Sequence, residues 1–351
     1  MLVTTEQPFA RFGAGCRHDV AEVVRAFGRR RALVLSTPTQ CEAALATSAD
    51  LGPLAAGVFT KAAMHTPVDV TQEALAHLAE VEADCLIAIG GGSTIGLGKA
   101  LAYRTGLPQI AIPTTYAGSE ATPILGQTEN GVKTTLTDPK VRPAAVLYDP
   151  ELVQSLPKGM TVTSALNAMA HAAEALYAEN RTNRTDAMAR EGLAAFVSGL
   201  PRVIDAPRDL AAREATQRGA WECGRVLGEV GMALHHKLCH TLGGSFNLPH
   251  AETHAVILPH AISYNARSAR AELAPITELL GGSSAGQALH RFAAQMGAPL
   301  ALRELGLAEN DLAQAAKLAV QRPYPNPHPI TETDLRTLLR AAWSGEAPAF
   351  S

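Results

Sequence analysis

The feature that most constrains the fold of this chain is an apolar segment that runs directly into three glycines. The segment CLIAIGGGST covers residues 85–94, and a helical pattern follows it. Three other runs have the same apolar character: RALVLS (31–36), QIAIP (109–113) and AAVLYD (144–149). Strands that are apolar throughout are typical of parallel sheets buried on both faces. Because a helical pattern over residues 69–83 separates two of them, we predict alternating strands and helices around a parallel sheet.

The second half of the chain has a different pattern. It is rich in Ala, Leu and Glu and has few β-branched runs. A helix capped by Thr163 and Ser164 is predicted for TSALNAMAHAAEALYAE. Further helices are predicted over 184–203, 208–230, 285–297 and 331–343, and the proline-rich residues 322–331 are predicted to form a loop. We therefore expect an α/β domain that binds a dinucleotide over residues 1–156 and an all-helical domain with the substrate and catalytic residues over 157–351.

Composition and charge narrow the class of protein. Hydrophobic residues make up 47% of the 351-residue chain and the formal net charge is −3, with no long run of one sign. Nucleic acid and anionic membrane surfaces are therefore not expected as partners. The five cysteines are scattered and form no CxxC pair, which fits a reducing compartment. No signal peptide and no membrane span are expected, so we predict a soluble cytoplasmic protein.

The glycine-rich turn has the properties of a phosphate site. Glycines let the backbone approach a pyrophosphate, and the next helix offers N–H groups and the positive end of its dipole. The spacing is neither GxGxxG nor a P-loop, so a tight structural turn is the alternative. A second cluster of hydroxyls, PTTYAGSEATP (113–123), follows the next strand. Open α/β sheets bind nucleotides at such neighbouring strand ends, and this favours a dinucleotide site. The predicted cofactor-binding residues of these two turns are Gly91, Gly92, Ser93, Thr94, Thr114, Thr115 and Ser119.

An earlier strand ends in STPTQ, with Ser36 and Thr37 at the position where many NAD sites carry Asp or Glu. We predict that both residues contact the cofactor. Since no carboxylate there repels a 2′-phosphate, the pattern predicts NADH as cofactor and allows NADPH.

Half of the 12 histidines lie between His235 and His260. His236 and His240 are four residues apart in a stretch predicted to be helical as far as Gly243, and His250 follows in a predicted loop. Asn167 and His171 form another pair four apart on the preceding helix. Residues at this spacing share a helix face, so two pairs and one loop histidine can converge on a pocket. From the residues alone, the pocket could hold a metal, move protons, bind an anion or form part of a core. For His235, His254 and His260, an ordinary structural role is at least as well supported as a functional one.

Four motifs resemble the iron-containing (group III) alcohol dehydrogenase family: GGGSxxxxxKA, PTTxxGSE, NAxxHAxE and HxxxHxLGxxxxxPH. They occur in order over nearly the whole chain. The resemblance implies the dehydroquinate synthase-like fold, with a nucleotide-binding α/β domain and a helical domain, and it implies a homodimer. In that family an Asp and three His hold a divalent metal, and His240 matches a further active-site histidine. The matching metal positions here are Asn167, His171, His236 and His250.

Two departures from the family pattern indicate one of its branches. Asn167 stands where the family has its metal-binding Asp, and Gly96 stands where an Asp usually follows the glycines. The branch that shares these changes uses NAD(P)H to reduce the conjugated carbon–carbon double bond of 2-maleylacetate, a dicarboxylate. The product is 3-oxoadipate, in bacterial degradation of aromatic compounds.

The chemistry agrees with that branch. A neutral amide is a weak partner for Fe²⁺ or Zn²⁺ beside imidazoles, so we expect no metal. The predicted donor and proton-relay set is His171, His236, His240 and His250, oriented by Asn167. Resemblance places Lys133 near the nicotinamide. Tyr116 and Lys237 are predicted to bind substrate carboxylates, and Cys239 is predicted to be a buried spacer.

Three other functions fit parts of the pattern. A metal-dependent alcohol dehydrogenase or aldehyde reductase would use Asn167 as a ligand. A lyase related to dehydroquinate synthase would use NAD only transiently. A histidine-rich metal-storage protein would leave both glycine and hydroxyl turns without a role.

Overall fold

A computed structural model describes residues 9–321 and 324–348, except for the side chain of Lys133. The chain divides into two compact units, Met1–Leu156 and Pro157–Ser351. Within the described residues, no helix combines the length and the apolar character needed to cross a membrane.

The first unit is built around a six-stranded parallel sheet. Its strands run in the order β1-β8-β5-β4-β2-β3, and β6 and β7 form a separate antiparallel pair. The strands are β1 (Phe9–Phe12), β2 (Ala32–Leu35), β3 (Ala55–Phe59), β4 (Cys85–Gly90), β5 (Gln109–Pro113), β6 (Ile124–Glu129), β7 (Val132–Thr137) and β8 (Ala145–Tyr148). The helices are α1 (Val20–Ala26), α2 (Cys41–Leu51), α3 (Val68–Glu80) and α4 (Gly92–Thr105).

Both faces of the sheet are covered, as the apolar strands predicted. Val34 and Ile87 pack on one side with α1 and α2, whereas Leu33 and Leu86 pack on the other side with α3 and α4. Successive strand residues point to opposite faces, so a strand buried on both sides must be apolar at every position. The predicted parallel α/β sheet is confirmed.

Some strands carry no such pattern and were not predicted. β3 (AAGVF) is a half-buried edge strand of small residues, and β1 (FARF) lies at the opposite edge with an arginine in it. The β6–β7 pair is mostly polar. Edge and surface strands bury one face at most, so their sequences lack the continuous apolar run.

The second unit is all-helical, as predicted. Its helices are α5 (Lys158–Ala175), α6 (Asn183–Asp205), α7 (Leu210–Leu227), α8 (Leu234–Phe246), α9 (His250–Ala269), α10 (Ala274–Leu280), α11 (Ala285–Met296), α12 (Leu312–Ala319) and α13 (Glu332–Ser344). Helix α5 lies at the centre, with every residue from Thr161 to Ala175 buried. Small side chains (six alanines over that stretch) let neighbouring helices pack closely around it. A polar residue on α5 is therefore enclosed by protein.

Three predicted boundaries were wrong. Helix α5 begins at Lys158 after Pro157, which cannot extend a helix backwards, and not at the Thr163–Ser164 cap. Helix α8 continues through Gly243 to Phe246 and ends where Asn247 adopts a left-handed conformation. His250 is the first residue of α9 and not a loop residue, because Pro249 fixes the backbone just before the helix.

Candidate active site

The glycine turn presents open backbone at the start of α4. Gly91 precedes the helix and no side chain caps it. A Cβ on Gly92 would meet nothing within 4 Å, whereas one on Gly91 would lie 3.0 Å from Cγ2 of Thr115. Open space therefore lies beside the first residue of α4, and Thr115 of the hydroxyl turn after β5 lies close to Gly91. This is the arrangement that an anionic phosphate requires.

Hydrogen bonds of side chains and backbone join the three predicted cofactor turns to one another. Gln40 Nε2 donates a hydrogen bond to Thr114 Oγ1 at 2.8 Å, which links the turn after β2 to the turn after β5. The backbone N–H of Thr114 donates to Gly90 O at 3.1 Å, which links the turns after β5 and β4. Gln40 was not among the predicted site residues, because a single glutamine in a turn carries no pattern.

The predicted cofactor residues differ in exposure. Ser36, Thr94 and Thr114 are buried, whereas Gly91, Gly92, Ser93, Thr37, Thr115 and Ser119 are at least partly exposed. Thr94 Oγ1 is buried without a hydrogen-bond partner in the described part of the chain. The side chain of Lys133 lies outside the described residues. The open glycine turn and the exposed hydroxyls fit a dinucleotide, and their assignment to one remains a prediction.

The position of Gly96 is explained by a neighbouring turn. A Cβ at residue 96 would lie 2.3 Å from Thr66 Oγ1, which is closer than atoms can approach. Thr66 is buried, and both it and His65 have left-handed backbone, with φ of 49° and 65°. An aspartate at position 96 would displace this turn, so the family's carboxylate has no room here.

In the helical unit, three polar residues of α5 are enclosed by protein. Asn167, His171 and Glu174 are 4%, 5% and 0% exposed. Glu174 Oε1 accepts the backbone N–H of His235 at 2.8 Å, and Oε2 accepts that of Ala233 at 3.1 Å. Helix α8 has no capping side chain of its own, so a carboxylate from α5 caps it.

Glu174 also begins a chain of side-chain hydrogen bonds. His236 Nδ1 lies 2.7 Å from Glu174 Oε2, and His236 Nε2 lies 3.0 Å from His171 Nδ1. Burial alone would raise the pKa of the Glu174 carboxyl, but the hydrogen bond from His236 and the nearby imidazoles and N–H groups lower it to about 2. The ionised carboxylate therefore accepts the hydrogen on His236 Nδ1, and the other ring nitrogen of His236 shares a hydrogen bond with His171 Nδ1.

The four predicted histidines are brought together around this chain, with His254 between them. Ring centroids lie 5.1 Å apart for His171 and His236, and 6.1 Å apart for His236 and His240. His254 joins His250 to the group, at 4.3 Å from His250 and 5.2 Å from His236. The predicted convergence is thus present geometrically. His254 belongs to the same cluster, although its sequence position supported a structural role at least as well as a functional one.

Behind the cluster lies a second buried group. His235 Nε2 is 2.9 Å from His254 Nδ1 and 3.7 Å from Cys239 Sγ. Burial lowers the pKa of His235 to about 3, lowers that of His254 well below its usual value and raises that of Cys239. Both imidazoles are therefore neutral and Cys239 is a protonated, buried thiol, as predicted for a spacer.

The two predicted substrate contacts have different surroundings. Lys237 is partly exposed, and its ammonium lies 5.6 Å from the ring centre of Tyr324. Tyr116 is completely buried in the α/β unit, so it has no exposed surface for the predicted contact with a substrate carboxylate.

Comparison with known proteins places this chain in the iron-containing alcohol dehydrogenase family. The iron-containing alcohol dehydrogenase model matches residues 8–150, and the C-terminal model of the same family matches residues 161–343. The chain belongs to this family and is an oxidoreductase, as the four motifs predicted.

Similar relatives narrow the class further. The chain is 57% identical to a maleylacetate reductase of Rhizobium sp. (strain MTP-10005) over 96% of each chain. It is 50% identical to a maleylacetate reductase of Burkholderia cepacia, again over 96% of each chain. The crystal structure of maleylacetate reductase from Agrobacterium tumefaciens matches with a TM-score of 0.95 at 56% identity and covers 97% of each chain.

The family's metal positions are occupied in this chain by three imidazoles and a neutral amide. Asn167 supplies no anionic oxygen, and the nitrogens of His171 and His236 are hydrogen-bonded to each other. Over residues 9–321 and 324–348, the one group of three His, Cys, Asp or Glu donors within 4.8 Å of one another is His235, Cys239 and His254. His171, His236 and His250 thus do not converge as a three-imidazole ligand set.

Proposed function

We propose that this enzyme catalyses the NADH-dependent reduction of the carbon–carbon double bond of 2-maleylacetate, which gives 3-oxoadipate. The observation that carries the proposal is the buried chain of Glu174, His236 and His171, in which the two histidines stand at positions where the family pattern places metal ligands. The relatives that share half or more of the sequence are maleylacetate reductases, which supports the same reaction.

The reaction needs groups that this chain supplies. A dinucleotide held by the glycine turn and the hydroxyl turn would supply a hydride for the carbon β to the ketone, and negative charge would then develop on the ketone oxygen. Imidazole N–H groups of the histidine cluster stabilise that enolate oxygen by hydrogen bonding. An imidazole then donates a proton to the α-carbon, which completes the addition of two hydrogens across the double bond.

Glu174 acts through His236 and is a positioning residue. Its carboxylate fixes the ring orientation and the tautomer of His236, which in turn orients His171. Asn167 lies one helical turn before His171 and keeps the pocket neutral where the family has a carboxylate. A dianionic substrate is favoured by that missing charge and by the nearby cation of Lys237.

The cofactor preference and the assembly form part of the proposal. The turn after β2 has no carboxylate at Ser36 and Thr37, so NADPH is accepted beside NADH. We propose a homodimer, by analogy with the family. Light scattering of the purified protein measures its mass, and KM values for the two cofactors measure the preference.

A second function, metal-dependent reduction of a carbonyl group, is favoured by one observation. Asn167 Oδ1 is buried and has no hydrogen-bond partner in the described part of the chain, so it could face a cation. In that case simple aldehydes would be reduced efficiently and activity would require a metal.

The test is a comparison of substrates. Purified enzyme is supplied with NADH and either 2-maleylacetate or simple aldehydes, and the product is identified by mass spectrometry. Stoichiometric NADH consumption with formation of 3-oxoadipate is the expected result. Faster turnover of aldehydes, or a 2-maleylacetate product reduced at the ketone, would favour the metal-dependent function. Conversion without net NADH consumption would indicate a lyase.

A further inference from the structure

Lys99 is a charged residue enclosed within the α/β unit, and none of the functions above uses it. It lies on α4, seven residues after Gly92, so it is on the same face of the helix as the glycine turn. Its side chain is 1% exposed. Burial lowers the pKa of its ammonium to about 7, with Glu120 and Arg142 as the charged neighbours.

The ammonium is held by one short segment. Lys99 Nζ donates to Ser119 O at 2.6 Å, to Thr122 Oγ1 at 2.8 Å and to Ile124 O at 2.8 Å. An ammonium has three hydrogens, and these three oxygens account for all of them. Lys99 therefore has no donor left for a phosphate, which separates it from the lysine of a P-loop.

The segment that Lys99 holds continues from the predicted hydroxyl turn. It follows Thr114 and Thr115, includes the predicted cofactor residue Ser119 and ends where β6 begins. Glu120 in the same segment is also buried and accepts a hydrogen bond from Tyr148 OH at 2.7 Å. Two buried ionisable side chains thus contact a segment whose own regular structure is a single 3₁₀ turn, Ser119–Ala121.

A buried charge in this place has a cost that an apolar side chain would avoid. The desolvation free energy of a buried ion often exceeds the interaction energy that its partners contribute. A protein with an apolar residue of similar volume at that position is frequently as stable. The ammonium specifies the conformation of the segment, because its three tetrahedral donors fix the positions of three oxygens relative to one another. The fold gains a defined turn more than it gains stability.

We propose that Lys99 is a positioning residue for dinucleotide binding, which locks the hydroxyl turn after β5 against the phosphate-binding helix α4. The glycine turn and the hydroxyl turn then form one surface, joined at one end by the bond between Thr114 and Gly90 and at the other by Lys99. This proposal rests on the proposed function, since it takes the two turns to be the dinucleotide site.

The test compares Lys99→Met and Thr122→Val with the wild type. Thr122→Val preserves the lysine and removes one of its acceptors. Lys61→Met is the matched control, because Lys61 is an exposed lysine of the same unit, paired with Glu73. NADH dissociation constants are measured by fluorescence titration, together with kcat at saturating NADH, the KM for 2-maleylacetate and the thermal midpoint.

We expect Lys99→Met to raise the NADH dissociation constant about tenfold or more, while kcat at saturating NADH and the substrate KM change less than about twofold. Thr122→Val raises the dissociation constant by a smaller factor, and Lys61→Met leaves it unchanged. A merely structural lysine would lower the thermal midpoint without this selective loss, and that result would overturn the proposal. If Lys99→Met does not fold, an unchanged NADH dissociation constant in folded Thr122→Val overturns it equally.

Titration of the wild type with NADH distinguishes a failure of the proposed function from a failure of the proposed role of Lys99. A wild type that does not bind NADH refutes the proposed function and this inference with it. A wild type that binds NADH, with variants that bind equally well, refutes the role of Lys99 alone.

Discussion

The candidate sites of the two units consist of different chemical groups. In the α/β unit the site consists of backbone N–H groups, glycines and short hydroxyl side chains at the ends of parallel strands. In the helical unit it consists of buried side chains that hold one another, a carboxylate and a cluster of imidazoles on three helices. A site made of backbone groups tolerates substitutions that leave the turn open. A network of side chains loses hydrogen bonds when any one of its residues is substituted. The two units should therefore respond differently to substitution.

The largest effect is expected at Glu174. Glu174→Leu leaves the N–H groups of Ala233 and His235 and the imidazole of His236 without their buried acceptor. Breaking a buried charged network commonly costs about 3–5 kcal/mol of unfolding free energy. We also expect kcat/KM to fall by about 10- to 100-fold, as is typical when a partner that orients a functional imidazole is lost. Denaturant unfolding and steady-state kinetics measure the two losses.

Two controls sharpen this comparison. Glu174→Gln preserves one acceptor oxygen, so it should lose less stability than Glu174→Leu while still lowering kcat. Glu214→Gln removes an exposed partner of Arg218 and should change the unfolding free energy by less than about 0.5 kcal/mol. Full activity in a folded Glu174→Leu variant would show that the hydrogen-bonded chain is not part of the catalytic apparatus.

The next effect concerns the charge of the pocket. Asn167→Asp adds a carboxylate of nearly the same size, 4% exposed, next to the histidine cluster. Repulsion of a dianionic substrate should raise the KM for 2-maleylacetate by about tenfold or more, which corresponds to about 1.4 kcal/mol. The KM for NADH, measured in parallel, shows whether the effect is specific to the dianionic substrate. A lower KM for the dianion would contradict the electrostatic explanation.

A pair of glycine substitutions tests the backbone site. A Cβ on Gly92 meets no atom within 4 Å, and alanine favours a helix over glycine by roughly 1 kcal/mol. Gly92→Ala should therefore leave stability equal or higher while it raises the KM for NADH about tenfold, because the methyl group occupies the space of a phosphate. Gly90→Ala should destabilise instead, since Gly90 has φ of 154° and a Cβ there would lie 2.4 Å from Thr94 Oγ1. If Gly92→Ala binds NADH as tightly as the wild type, the phosphate does not bind at this turn.

The last effect is an acid sensitivity of the helical unit. His260 is buried without a partner for either ring nitrogen in the described part of the chain, and burial lowers its pKa from 6.5 to about 3. Between those values the unfolded chain binds a proton that the folded chain does not. The unfolding free energy should thus fall as pH falls from 6.5 towards 3, by up to about 1.4 kcal/mol per pH unit from this group.

His260→Phe isolates that contribution. His235 and His254 also titrate at lowered pKa, so the wild-type slope contains several groups, and the difference between wild type and variant reports His260 alone. Denaturant unfolding at a series of pH values gives both slopes. If the unfolding free energies of the two proteins depend on pH with the same slope, folding does not lower the pKa of His260.

The sequence allowed prediction of those features that repeat or cluster along the chain. The buried strands β2, β4, β5 and β8 were found because a strand covered on both faces is apolar at each position. The histidine cluster was found because i,i+4 spacing places two side chains on one helix face. Gly91 and Gly92 were found from their place between a strand and a helix.

The features that escaped prediction depend on contacts between distant residues. Glu174 stands in the NAxxHAxE motif, yet its partners lie about sixty residues further on, at the start of α8. A glutamate in a helix of small apolar residues was the available signal. Thr66 explains Gly96 through a contact across thirty residues. His254 lies four residues after His250, but this spacing gave no signal because His250 was predicted to lie in a loop and not on α9.

The most direct test of the central claim is the rate of NADH oxidation with 2-maleylacetate before and after exhaustive chelation, with bound metal assayed in the same samples. If the chain of Glu174, His236 and His171 serves the reaction without a metal, turnover persists unchanged in metal-depleted enzyme. Activity that disappears on chelation and returns in proportion to added Fe²⁺ or Zn²⁺ would contradict the claim and make Asn167 a working metal ligand.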